Sequence, residues 1–151
     1  MSIDKDIEQI MESAHFWNWL PDWGIVKEVY RVFPDAHSVL TPFAYAYLEE
    51  LIRSMTTEYG TGGFDEYGNP RKYTVGKRLI KLAIEENKTD NPGLVMLLEQ
   101  VMKHFANSHS NNNEQNRNSV VHGYKHSRFW DRDSFETLVH DIALLSKHAR
   151  F

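Results

Sequence analysis

Between residues 36 and 59 the chain repeats apolar side chains at a spacing that only a helix can use. Val39, Leu40, Phe43, Ala44, Tyr47, Leu48, Leu51, Ile52 and Met55 recur three and four apart, the period that gathers side chains along one side of an α-helix. Their arc is wide. A helix apolar over so much of its circumference is expected at the centre of a structure, touching neighbours on two sides. Strand-like alternation is scarce throughout the chain, so a sheet has little to be built from. Asp35 stands where it can cap this helix, and Pro42, inside the first two turns, makes the start irregular or moves it to Thr41.

The same period recurs on either side. Residues 2 to 18 predict a first helix with Ile3, Ile7, Ile10, Met11 and Ala14 on one stripe, ended by Pro21. "PDWGIVKEVYRVFPD" predicts a short second element that stops near Pro34. Thr74 can cap a helix running to about Asn87. Asn91-Pro92 pairs a good cap with a good first residue, ahead of Leu94, Val95, Leu97, Leu98, Val101, Met102 and Phe105. A last helix begins near Asp131 or Asp133, with Phe135, Leu138, Val139, Ile142 and Leu145 inward. Between these, "YGTGGFDEYGNPRKYT" is a loop with a small hairpin around "YGNP". Gly63 and Gly68 have phosphate-loop spacing, but Asn69-Pro70 follows where Lys and Ser or Thr are needed, and no strand precedes, so a P-loop is rejected. The expected fold is all-α, an up-and-down bundle of about five to seven helices with a Gly-rich insertion near 60–74. Residues 1–35 are read as a helical extension docked on a unit formed by 36–151.

A chain of 151 residues, 41% of them apolar and 13% aromatic, can bury one real core. It has no Cys, which excludes disulfides, zinc ribbons and thiol nucleophiles and fits a reducing cytosol. The first residues show no basic-then-apolar leader, and no window approaches a membrane span, so a cytoplasmic protein without membrane contact is expected. A formal net charge of −4 argues against a general binder of nucleic acid. The charge is uneven, however. From Lys103 to Trp130 there are four bases (Lys103, Arg117, Lys125, Arg128) against one acid, Glu114, a local +3 that leaves −7 elsewhere. His104, His109, His122 and His126 lie in that stretch too. A polyanion would bind there.

Within it, "EQNRNSVVHGYKH" carries the chemistry. Asn111 and Glu114 resemble a capping box, and Gly123 suits the left-handed residue after a helix, so a helix over about 112–122 is expected. Val120 and Val121 would point partly inward. Asn118 and His122, four apart, share a face about 40° wide. Arg117 and His122, five apart, are separated by about 140° and would not touch on one ideal helix. The helix begins irregularly, the Arg wraps round, or partners meet across a two-fold axis. A His at a helix C-terminus is favoured in its protonated form by the dipole. Such a His, with an Arg to hold phosphoryl charge and an Asn to orient them, is what phosphodiester cleavage needs. The plainer alternative is a His that only satisfies a helix end before its glycine. No metal site is expected: Gly123 separates His122 from His126, and no HExxH or supporting carboxylate is present.

"RNSVVHGY" resembles the signature of the HEPN superfamily, small all-helical domains with Arg, four to six residues, then His, often with a polar residue after the Arg. Arg117, Asn118 and His122 match it, and "TPFAYAYLEELIRSM" looks like the central helix of such domains. The resemblance covers roughly residues 36 to 149. It implies a homodimer in which the motif helices meet, and metal-independent, cofactor-free cleavage of single-stranded RNA to a 2′,3′-cyclic phosphate. It also implies a setting in toxin–antitoxin, phage-defence or RNA-processing systems, with an antitoxin or regulatory protein as a further partner. Arg117 and His122 would then be catalytic, with Asn118 orienting them. Tyr124, Lys125, His126 and Arg128 match no fixed family position; charge and proximity alone make them candidate RNA contacts. Other HEPN domains do no chemistry and bind nucleotides or proteins, which is the alternative function. The aromatic group Phe16, Trp17, Trp19 and Trp23 is expected in core or dimer packing.

Overall fold

The computed structural model describes residues 2–60, 63–105 and 131–151. Among these the chain forms six α-helices and no β-strand: α1 (Ile3–Ser13), α2 (Leu20–Val32), α3 (His37–Arg53), α4 (Gly76–Asn87), α5 (Pro92–Val101) and α6 (Arg132–Ser146). Short 3-10 turns, Pro34–Ala36 and Met102–Phe105, precede α3 and follow α5. The all-helical bundle predicted from apolar period is therefore present. No helix among the described residues is long and apolar enough to cross a membrane.

The width of the apolar arc on α3 is explained by its neighbours, since α3 packs against both α4 and α6. Tyr47, Leu48, Leu51 and Ile52 are fully buried there. Val39 is the exception, standing exposed in the first turn of the helix. α1 lies along α6 and also meets α2. Ile7, Ile10, Trp23, Val26 and Tyr30 of the first two helices share one core cluster with Leu79, Leu98 and Ile142. Trp19 and Trp23 both pack edge-on against Tyr47. The aromatic group thus divides: Trp23 is core and Trp19 packs against it, whereas Phe16 and Trp17 are exposed.

Several helix ends differ from expectation for local reasons. α1 stops at Ser13, and Pro21 does not end it but sits in the first turn of α2, where a missing N–H costs nothing. Asp35 does not cap α3. The 3-10 turn runs straight into the helix with Ala36 already in right-handed backbone, so no capping geometry exists there. The Asp35 carboxylate lies instead 3.5 Å from Arg132. α3 carries Pro42 without shifting its start, and the Thr41 hydroxyl donates to the His37 carbonyl at 2.6 Å. The helix also ends at Arg53, earlier than 59. Thr74 is not the cap of α4, because its hydroxyl and N–H both donate to the Glu58 carboxylate. Glu49, reaching from α3, accepts instead from the Gly76 N–H.

The Asn91 cap stands as predicted, accepting from the Leu94 N–H at 3.1 Å. The last helix begins where expected, and Asp131 caps it by accepting from the Ser134 N–H at 2.6 Å. Asn91→Ala is expected to cost about 1 kcal/mol, read as a lower urea midpoint with an unchanged slope. The loop also holds its hairpin, a single bridge between Phe64 and Pro70. Asp65 ties it by accepting from the Tyr67 and Asn69 N–H groups, and Gly68 supplies the positive φ of 79° that the turn needs.

Candidate functional site

The residues singled out by sequence, Arg117, Asn118 and His122 with Tyr124, Lys125, His126 and Arg128, all lie outside the described residues. So do the capping pair Asn111–Glu114 and Gly123. The described residues fix the two points between which that stretch lies. Before it stands Phe105, a buried ring packed edge-on to Tyr45. After it stands Asp131, the cap of α6.

The end of α5 is anchored by a buried polar group. Gln100, Lys103 and His104 sit three and four residues apart at the end of α5 and in the turn after it, so their side chains converge on one side. All three reach Asp141 on α6. The His104 Nε2 is 2.7 Å from Asp141 Oδ2, Gln100 Nε2 donates to Oδ1 at 3.0 Å, and Lys103 Nζ lies 3.4 Å from Oδ2. His104 also meets the Tyr45 ring edge-on. Asp141 and His104 are both buried; Lys103 keeps half its side chain in solvent. Burial alone would push the Asp141 carboxyl up. The hydrogen bond and charge of His104, with the charge of Lys103, overcome that and hold it below the ordinary carboxylate value. The described residues before the stretch thus sit beside residue 141, and those after it begin α6 at residue 131, about 15 Å away along the helix.

Sequence reasoning counted His104 only as one base of a His-rich stretch, and it missed Asp141. The available signal was an acid bordering the apolar stripe of the last helix, between Leu138 and Ile142. An acid placed there has to find a partner when the stripe is buried.

A second polar group lies on the other side of α6. There a cleft of about 420 Å³ between α1 and α6 is lined by Asp6, Asp133, Glu136 and His140. The His140 Nδ1 is 3.2 Å from both Asp6 carboxylate oxygens. Tyr30 donates to Glu136, and burial together with that bond raises its phenol well above the ordinary value. Three carboxylates against one imidazole make this face repel a polyanion. An open cavity of about 480 Å³ beside the Gly-rich loop mixes Glu58 and Asp65 with Arg71 and Lys72, so it selects no sign of charge.

The described residues therefore separate two sides of α6. One is acidic, against α1. The other, toward α5, brings Lys103 and His104 to the place where the locally basic stretch begins. No family model, no curated protein and no solved structure matches this chain.

Proposed function

We propose that the protein is a metal-independent endoribonuclease of HEPN type that acts on single-stranded RNA. One observation carries this: Arg117-Asn118-…-His122 lies in the locally basic stretch of an otherwise acidic, all-helical chain. In the proposed reaction the ribose 2′-oxygen bonds to phosphorus and the bond from phosphorus to the 5′-oxygen breaks. The 2′-oxygen loses a proton and the leaving 5′-oxygen gains one. His122 makes one of these transfers, and Arg117 holds the charge that grows on the phosphoryl oxygens. Asn118 orients them. Tyr124 stacks on a base while Lys125, His126 and Arg128 follow the backbone. The five-residue spacing of Arg117 and His122 favours a site completed across a homodimer, and an antitoxin or regulatory protein would act by covering it.

The test is incubation of the purified protein with mixed single-stranded RNA in EDTA. Fragments ending in 2′,3′-cyclic phosphate are expected. Intact RNA, at any protein concentration, would sink the proposal. The acidic remainder of the chain favours a second reading, a non-catalytic domain that binds a nucleotide or a protein. Its mark is a rise in Tm with nucleotide and no turnover.

A further inference from the structure

The cavity beside the Gly-rich loop mixes its charges, but the chain that leaves it does not. From Arg71 to Lys81 there are five bases (Arg71, Lys72, Lys77, Arg78, Lys81) and no acid in eleven residues. Folding does not favour them there. Lys77 and Arg78 stand in the first turn of α4, which carries no acid, although the positive end of a helix dipole repels cations. Lys77, Arg78 and Lys81 fall within about 100° of the helix circumference, on the side away from the buried Leu79, Ile80 and Ala83. Arg78 and Lys81 are exposed and Lys77 is half-buried.

The acids near these cations are engaged elsewhere. Glu49 accepts from the Gly76 N–H, and Glu58 from the N–H and hydroxyl of Thr74. Glu86 accepts from the N–H and hydroxyl of Thr57, and Glu85 pairs with Lys88 at 2.7 Å. Among the described residues Lys72, Lys77, Arg78 and Lys81 make no ion pair. Cations set against a dipole and left without counter-charges break a local rule of stability, as functional surfaces do.

The hairpin that opens this segment indicates the partner. Arg71 ties its arms together, donating from its backbone N–H to the Gly63 carbonyl and from Nε to the Phe64 carbonyl, both at 3.0 Å. Phe64 and Tyr67 are held on it 65% and 81% exposed. Tyr73, between hairpin and helix, has the Arg53 guanidinium 5.2 Å from its ring centre. Exposed rings next to unpaired cations fit a single strand of nucleic acid, whose bases stack while its phosphates meet the charges. An acidic protein would satisfy the cations and leave the rings without a role.

We infer that the hairpin and the outer face of α4 form a docking surface for single-stranded RNA, with Lys72, Lys77, Arg78 and Lys81 on phosphates and Phe64 and Tyr67 on bases. The choice of RNA rests on the ribonuclease reading, for which this face would hold the strand away from the Arg117–His122 stretch.

The experiment is fluorescence anisotropy of a labelled single-stranded RNA of mixed sequence with 2′-O-methyl riboses, which cannot be cut through the 2′-oxygen. Titrations run over a salt series, with Tm measured on every variant. Lys77→Ala combined with Lys81→Ala should lower affinity about tenfold and flatten the log–log salt slope by about 0.7 for each cation removed. Tyr67→Ala should lower affinity at least about fivefold and leave the slope unchanged. Arg31→Ala, on α2, should alter neither. Tm of the lysine variant should hold or rise, because α4 loses a repulsion. A wild type that does not bind, or a lysine variant that binds like wild type, overturns the inference. So does a lysine variant with a lower Tm, since those cations would then serve the fold, or an equal loss in Arg31→Ala, since any cation would then do. Full affinity in Tyr67→Ala, or polyglutamate competing as well as RNA at equal charge, overturns the RNA assignment in favour of an acidic protein. Binding of the uncuttable strand as described, with natural RNA left intact, supports this surface and ends only the ribonuclease reading.

Discussion

His122→Ala should lower RNA cleavage in EDTA by about 10²- to 10⁴-fold, the range for losing a positioned proton-transfer group. Arg117→Ala should fall as far, because the phosphoryl charge then has no fixed cation. Arg117→Lys should recover part of the rate, since an ammonium keeps the charge and loses the two-pronged hydrogen bonding. Far-UV circular dichroism and Tm on the same samples separate loss of chemistry from loss of fold. The informative sample is a mixture. If the site is assembled from two copies, a dimer of one Arg117→Ala chain and one His122→Ala chain contains one site with both residues intact, and mixing two inactive proteins restores cleavage. If Arg117 and His122 act within one chain, the mixture stays inactive. Equal cleavage by wild type and His122→Ala would end the proposal.

Asp141→Ala should cost about 3 kcal/mol of folding stability, measured by urea denaturation at neutral pH. The substitution strands the buried donor on His104, while Gln100 and Lys103, both exposed, can turn to water. A loss under about 1 kcal/mol would mean that the three side chains find other partners and that the cluster contributes little. The pH dependence has a definite sign. The Asp141 carboxyl binds its proton less readily in the folded protein than in the unfolded chain. Its contribution is therefore complete above the ordinary carboxylate pKa of about 4 and is lost as pH falls through the lower folded value. The gap between wild type and Asp141→Asn should be widest near neutrality and close in acid.

The helices that sequence made legible are those whose burial is one-sided and regular. Ile7 and Ile10, Leu94 and Leu98, and Phe135, Leu138 and Ile142 announce their faces because each helix meets the core along one line. A cap was legible where an Asn immediately precedes a helix-starting Pro, as at Asn91, and the start of the last helix was legible at Asp131. Caps misled where a competitor was near. Glu58 holds Thr74 from the far side of a loop, and the 3-10 turn denies Asp35 the extended backbone a cap requires. Neither competitor leaves a mark in the local sequence. The same holds for Asp141 and His104, which are 37 residues apart and meet only because α5 and α6 pack. The stretch that carries Arg117 and His122 lies outside the described residues, which add only where its two ends sit.

The pairing of α1 with α6 has a consequence for how the protein is made. Asp6 and His140 touch across 134 residues of chain, a separation far from the local contacts that let helical proteins fold quickly. Closing so long a loop precedes any reward from the contact. On the ribosome α1 emerges before α6, so Ile7 and Ile10 lack that surface until the intervening helices have been made. A newborn chain thus carries an unsatisfied apolar helix through that interval, a natural foothold for a holding chaperone.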